Sequence, residues 1–304
     1  MDIYLPIANL SVNALVIIGL GGLVGLLSGM FGVGGGFLTT PLLIFYGIPP
    51  TAAAASAATQ VMGASVSSVV GHVGRKTVDL AMGGVMVVGG IVGALIGAVI
   101  FRFLERLGQI DTVIGILYVL MLGSIGTMMA KESIHAMIMA RRGERPEARK
   151  RRHHPLVAAM PLRWRFYASG LYISPFAPLL LGLFSGIITM LMGIGGGFIL
   201  VPAMLYILGM STQLVIGTSL FQILFVTMAT TMVHATTTHA IDLVLAFLLL
   251  IGSVTGAQIG GRISMKVRPE YLRAPLAFIV LVVAVRMGLG LGWRPDESFT
   301  VTVQ

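Results

Sequence analysis

Long apolar stretches alternate with short polar ones along nearly the whole chain, and the stretches have the length that crosses a lipid bilayer. From Ile3 to Gly74 there is no Asp, Glu, Lys or Arg, and none again from Phe166 to Ile241. Leu80–Phe101 and Thr112–Ala130 are two further uncharged runs, each near the ~20 residues that a spanning helix needs. The pattern predicts five segments in each half: about 12–31, 37–48, 52–73, 80–101 and 112–130, then about 174–192, 198–209, 213–233, 243–264 and 274–292. The second of each set has near a dozen residues and reaches only about 18 Å as a helix. It reads as a half-helix completed by irregular backbone. The expected fold is all-α: a polytopic transmembrane helical bundle of eight full spans and two short broken ones.

What breaks the short segments is a signature that occurs twice. The first copy runs Gly32-Val33-Gly34-Gly35-Gly36-Phe37 and is closed by Pro41; the second runs Gly193-Ile194-Gly195-Gly196-Gly197-Phe198 and is closed by Pro202. Irregular backbone survives at membrane depth only where protein buries it or where it lines a watery cavity. With Gly34 laid on Gly195, the halves also agree at Gly21/Gly182 and Gly25/Gly186 and, with one inserted residue allowed in each of two loops, at Gln60/Gln222, His72/His234, Asp79/Asp242, Gly93/Gly256 and Gly97/Gly260. This is an internal duplication, expected as a first repeat over 1–130, a basic loop over 131–165 and a second repeat over 166–304.

Charge sets the orientation. The net charge is +9, and ten of the twenty Lys and Arg residues fall between Lys131 and Arg165, around Arg149-Lys150-Arg151-Arg152-His153-His154. Basic loops between spans stay on the cytoplasmic side, so this distribution points to membrane topology and membrane lipid, not to nucleic acid. Loop Gly74–Asp79 carries Arg75 and Lys76 while its counterpart His234–Asp242 has neither Lys nor Arg; Met265–Arg273 carries Lys266, Arg268 and Arg273 while Arg102–Asp111 is balanced. Opposite bias at equivalent loops is expected of two inverted repeats. The N-terminus has no basic stretch before Val12–Phe31, so that segment reads as a retained span and not as a signal peptide. Both termini then lie outside and 131–165 inside.

The glycines are the first candidate site. Gly34, Gly35 and Gly36, with Gly195, Gly196 and Gly197, let backbone approach a ligand and free N–H groups that hold an anion. Thr40 and Pro41 read as N-cap and first position of the short helix; Pro202 stands at the second copy behind Leu200 and Val201, without the hydroxyl. Close packing through small residues is the plainer role of glycine in membranes, and Gly93/Gly97 and Gly256/Gly260 are read that way. In the third segments Ser56 and Gln60 share a face, as do Thr218 and Gln222; they serve either as glue between helices or as neutral ligands for substrate oxygens. His72 and His234 either couple transport to protons or sit at the membrane interface. Asp79 and Asp242 read as helix caps, and Arg286 as a cation that snorkels out over two turns.

Several chemistries drop out. The chain has no Cys, Phe follows each triplet where a phosphate loop needs Gly-Lys-Ser/Thr, and no Asp or Glu lies in mid-span. No cofactor and no metal is expected, and no catalytic residue converges with another.

With the duplicated glycine–proline motif, the inverted halves and the run Gly217-Thr218-Ser219-Leu220, the chain resembles the TauE/SafE sulfite exporter family, also called the toluene sulfonate uptake permease family. The resemblance covers nearly all of residues 12–292. It implies a permease of the bacterial inner membrane that carries small sulfur-containing anions such as sulfite or organosulfonates, and implicates Gly34–Gly36 with Pro41 and Gly195–Gly197 with Pro202. The expected mechanism is alternating access, one half rocking against the other. An intramembrane enzyme on a lipid-linked substrate, and a channel or structural subunit, are the competing readings; the pattern leaves self-association open.

Overall fold

A computed structural model of the chain describes residues 2–31, 36–141, 162–264 and 269–292. The central basic run Arg149–His154, with residues 142–161, lies outside them, as do Gly34 and Gly35 of the first triplet.

Ten helices account for the bundle among the described residues. The first half gives α1 (Ala14–Phe31), α2 (Gly36–Phe45), α3 (Pro50–Gly74), α4 (Leu80–Arg106) and α5 (Ile110–Arg141). The second gives α6 (Phe176–Met192), α7 (Gly197–Ala203, extended by a π-helical turn over Met204–Leu208), α8 (Thr212–Val233, extended likewise over His234–Thr238), α9 (Leu243–Ser264) and α10 (Pro269–Gly292). Six of these (α3, α4, α5, α8, α9 and α10) are long and apolar enough to cross a membrane. Helices α1 and α6 have 18 and 17 residues, at the short end of the spanning range, and lead into the two short pieces. The chain is a multi-pass membrane protein of all-α architecture. Helix α5 runs on through Lys131 to Arg141, so the basic segment begins as a continuation of a span.

One element has no counterpart in the predicted pattern. A short antiparallel hairpin precedes the first helix of each half: β1 (Asp2–Leu5) with β2 (Leu10–Asn13), and β3 (Trp164–Phe166) with β4 (Leu171–Ile173). Each strand is only three or four residues long, and two strands alone do not hold together in water. Each hairpin is held by what it covers. Leu5, Ala8 and Val12 join a core with Ala14, Leu43, Ala53 and Leu245. Phe166, Leu171 and Ile173 join one with Met82, Leu208, Val215 and Ile223.

The helices pair across the two halves. Helix α1 lies parallel to α9: an added Cβ at Gly21, Gly25 or Gly29 would stand 2.5, 2.2 or 2.2 Å from the carbonyl oxygens of Leu249, Ser253 and Ala257. Helix α6 lies parallel to α4 in the same way, with Gly182 and Gly186 against the carbonyls of Met86 and Gly90, and Gly93 against Leu183. These two pairs correspond under the repeat. Helices α3 and α8 meet each other, as do α5 and α10, each pair being its own counterpart. This is the arrangement of a pseudo-two-fold axis through the bundle, with the two hairpins at opposite faces. Gly93/Gly97 and Gly256/Gly260 have the packing role read from the sequence: side chains there would drive backbones apart.

Candidate functional site

Both broken segments meet on the axis. The second is described in full: α6 ends at Met192, and Gly193, Gly195 and Gly196 take φ of +72°, +78° and +75° before α7 begins at Gly197. Three left-handed residues in four positions exclude side chains with a Cβ except at a strain cost, which is why glycine recurs there. Every residue from Thr189 to Phe198 is buried. Val61 of α3 and Ile223 and Thr227 of α8 close on Gly195, while Ser185 and Thr189 of α6 close on Gly196. Of the first triplet Gly36 is described, and it opens α2. A Cβ there would stand 2.8 Å from the Ile194 carbonyl oxygen and 2.9 Å from that of Gly193, so the start of α2 touches the second break backbone to backbone. Phe37 and Phe198, equivalent residues, stack across the axis with ring centroids 4.5 Å apart and planes within 4°.

The short helices start earlier than the Thr-Thr-Pro sequence predicts. Helix α2 begins at Gly36, so Thr40 is not its N-cap and Pro41 lies inside it, as Pro202 lies inside α7. The reason is steric economy. Near a helix start most N–H groups have no partner, so a proline one turn in removes only a single bond. In α7 the π-helical turn follows directly after Pro202 and Ala203, closing with the Met210 N–H donating to the Met204 carbonyl at 3.1 Å. Among the described residues, the N–H groups of Gly197 and Phe198 have no acceptor, as expected where a helix opens on its dipole's positive end.

Around the breaks is a shell of neutral polar groups. Met192, the last residue of α6, offers its carbonyl to two hydroxyls: Tyr118 of α5 donates at 2.6 Å and Thr40 at 3.3 Å. Gln60 accepts through Oε1 from the Thr39 hydroxyl at 2.9 Å. Gln222 donates from Nε2 to Ser185 Oγ at 3.0 Å, and its Oε1 has no hydrogen-bond partner among the described residues. Both glutamines are buried. Tyr118, Ser185 and Thr189 were not singled out by the sequence pattern. The one signal for Tyr118 was a lone phenol in the uncharged run Thr112–Ala130.

The other expected ligands lie elsewhere. Ser56 and Thr218, one turn before the glutamines, are committed to the ends of the bundle. Ser56 Oγ accepts from the Asp242 N–H at 3.1 Å, and Thr218 Oγ1 from the Asp79 N–H at 3.0 Å. The aspartates cap their helices: Asp79 accepts from the Met82 N–H at 3.0 Å, and Asp242 from Val244 and Leu245, both at 3.1 Å. The remaining oxygen of each holds a hairpin turn, Asp79 the Ser169 N–H at 3.1 Å and Asp242 the Ile7 N–H at 3.2 Å. The histidines differ from each other. His72 is half-buried at the end of α3 with Thr77 Oγ1 2.9 Å from Nδ1. His234 is fully buried, between Thr238 Oγ1 at 2.9 Å and the Met190 carbonyl at 3.1 Å, edge-on to Phe101. It therefore has no water-facing end. Arg286 is exposed and lays its guanidinium 5.0 Å from the Phe45 ring centroid. Among the described residues no group of three or more His, Asp or Glu side chains is arranged to hold a metal.

Comparison with known proteins fits this architecture. Residues 17–287 match the family model described as "Sulfite exporter TauE/SafE". The chain is similar to a "Probable membrane transporter protein YjnA" of Bacillus subtilis (strain 168), 28% identical over 271 residues, covering 89% of this chain and 98% of that protein. It is also similar to a "Probable membrane transporter protein" of Xylella fastidiosa (strain Temecula1), 27% identical over 288 residues, covering 94% and 97%. No solved structure matches it. The match spans both repeats and both broken segments, and on that basis the chain belongs to the TauE/SafE family of membrane transporters.

Proposed function

We propose that this protein is a secondary transporter for small anions, sulfur-containing oxyanions such as sulfite or organosulfonates, working by alternating access in the bacterial inner membrane with segment 131–165 cytoplasmic. The observation that carries the reading is the second break: a glycine segment in left-handed backbone, buried at the centre of a bundle, followed by a helix whose first N–H groups have no acceptor among the described residues. Free amide hydrogens at a helix start favour negative charge, and discontinuous helices at a repeat interface are where secondary transporters hold ions. The neutral shell supports the same substrate class. Gln60, Gln222, Ser185 and Thr40 offer dipoles to an anion without a counter-charge that would trap it. Gln222 carries a spare acceptor, so its amide can exchange partners at low cost.

The burial of Thr189–Phe198 corresponds to a closed conformation. The test is flux into proteoliposomes of purified protein across sulfite, thiosulfate, sulfoacetate and sulfate, with and without a pH gradient. Saturable flux of at least one sulfur oxyanion is expected, and dependence on the gradient would bring His72 and His234 into play as coupling groups. Flux of none of them, with release of a lipid headgroup product instead, would replace a carrier by an enzyme.

A further inference from the structure

We infer that Ser56 and Thr218 are the latches of two alternating gates, and that the bodies which stay intact during transport are not the sequence halves but the cross-half pairs α1–α9 and α4–α6. This rests on the transport reading above and assigns the moving contacts within it.

The contacts separate into two kinds. Between α1 and α9, and between α4 and α6, backbone meets backbone along three turns or more: positions for a Cβ at Gly25, Gly29, Gly252, Gly256 and Gly260 on one side, and Gly89, Gly93, Gly182 and Gly186 on the other, stand 2.0–2.2 Å from carbonyl oxygens. Such surfaces gain close van der Waals contact over their whole length, the main source of helix association in lipid. Parting the sequence halves would have to separate both at once. Each hairpin belongs to the pair it precedes. The first stands before α1 and is bonded through Ile7 to Asp242 at the start of α9; the second stands before α6 and is bonded through Ser169 to Asp79 at the start of α4.

Helices α3 and α8 are attached differently. They carry Gln60 and Gln222, and they meet each other through side chains, with Thr59 and Thr231 hydroxyls 3.4 Å apart. Towards the helix that opens at Asp242 or Asp79, each is hydrogen-bonded near its starting end through one side chain among the described residues, with Gly217 packing against the Thr77 carbonyl and Ala54 against Gly193 beside these bonds. Ser56 accepts from the Asp242 N–H at 3.1 Å and donates to its carbonyl at 3.5 Å at one face; Thr218 accepts from the Asp79 N–H at 3.0 Å at the other. Beside them Ala53 and Val215, each three residues before its latch, are buried under the first and second hairpin clusters. Swinging the start of α3 away from α9 opens a path beneath the first hairpin; swinging the start of α8 away from α4 opens one beneath the second. Both latches are closed in this conformation. Alternating access then requires only that they break one at a time.

The chain has no native cysteine, so single reporters at Ala53→Cys and Val215→Cys read each gate without background. In detergent-purified full-length protein, Ser56→Ala is expected to raise the rate of maleimide labelling at position 53 about fivefold, the effect of losing one neutral hydrogen bond, and to leave position 215 unchanged. Thr218→Val is expected to do the reverse, with Thr218→Ala reading the same bond should the valine not fold. Ser56→Thr and Thr218→Ser, which keep the hydroxyl, stay slow. Acceleration of both reporters by either variant, or of neither, overturns the proposal. Because labelling does not need flux, the two readings fail separately. Reciprocal labelling without sulfur-oxyanion flux removes the substrate and keeps the gates; flux without reciprocal labelling does the opposite.

Discussion

At each face of the bundle an aspartate opens a helix, holds the turn of a hairpin and meets a hydroxyl from a neighbour: Asp242 with Ile7 and Ser56 at one face, Asp79 with Ser169 and Thr218 at the other. At the centre the same repeat gives unlike results. Gln60 is paired with Thr39 from a short helix, while its counterpart Gln222 is paired with Ser185 from a long one and keeps an oxygen unpaired. The Met192 carbonyl before the second break takes two hydroxyls, Tyr118 and Thr40. On the proposed transport mechanism, duplication is kept where the two faces do the same thing in turn and relaxed where a single anion would be held, since one ligand on the axis cannot use two identical sets of partners equally.

Three sets of substitutions sharpen that contrast. The largest effect is expected at the glycine contacts, and it should be symmetric. Gly25→Ala and its counterpart Gly186→Ala place a Cβ 2.2 and 2.0 Å from the carbonyl oxygens of Ser253 and Gly90, so each should cost about 3 kcal/mol by overpacking. Gly71→Ala, with nothing within 4 Å, should be neutral or stabilising by up to about 1 kcal/mol. Thermal unfolding of the three purified variants reads this, and unequal losses at positions 25 and 186 would break the symmetry. The glutamines should be asymmetric. Gln60→Leu takes an acceptor from Thr39 and should cost roughly 1–2 kcal/mol, whereas Gln222→Leu gives up the bond to Ser185 Oγ but also removes a buried oxygen that has no partner among the described residues, and should cost less; chemical denaturation compares the pair. Smallest is Tyr118→Phe, which deletes one of two donors to the Met192 carbonyl at about 1 kcal/mol, visible as a small fall in melting temperature.

Much of this design was legible because glycine and proline leave marks that apolar residues do not. The repeat, the broken short segments and the inverted orientation followed from Gly-Gly-Gly…Pro, the matched Asp79/Asp242 and the loop charges. The helix start at Gly36 was not legible, since Thr-Thr-Pro carries the usual start signal and only the fold shows that a proline one turn in is tolerated. The hairpins escaped notice because strands of three or four residues have too few positions to show alternation. The bonds that Ser56 and Thr218 make to Asp242 and Asp79 were not legible for another reason. Their partners lie 186 and 139 residues away in the chain, and a hydroxyl one turn from a glutamine looks alike whether it points to a ligand or to a helix cap. Ser185 and Tyr118 are single polar residues in apolar runs, with meaning only beside Gln222 and Met192.

The most direct measurement is sulfite flux through proteoliposomes containing Gly196→Val beside Gly71→Ala. Position 196 has a left-handed φ of +75° with Ser185 Cβ 3.0 Å from where a side chain would start, whereas position 71 is open. If anions pass where the broken helices meet, flux in Gly196→Val falls at least to about a hundredth of the unaltered protein, as for loss of a group of oriented backbone donors, while Gly71→Ala carries sulfite normally. Equal flux in the two variants, with both proteins monodisperse, would place the path of the anion somewhere other than the glycine break.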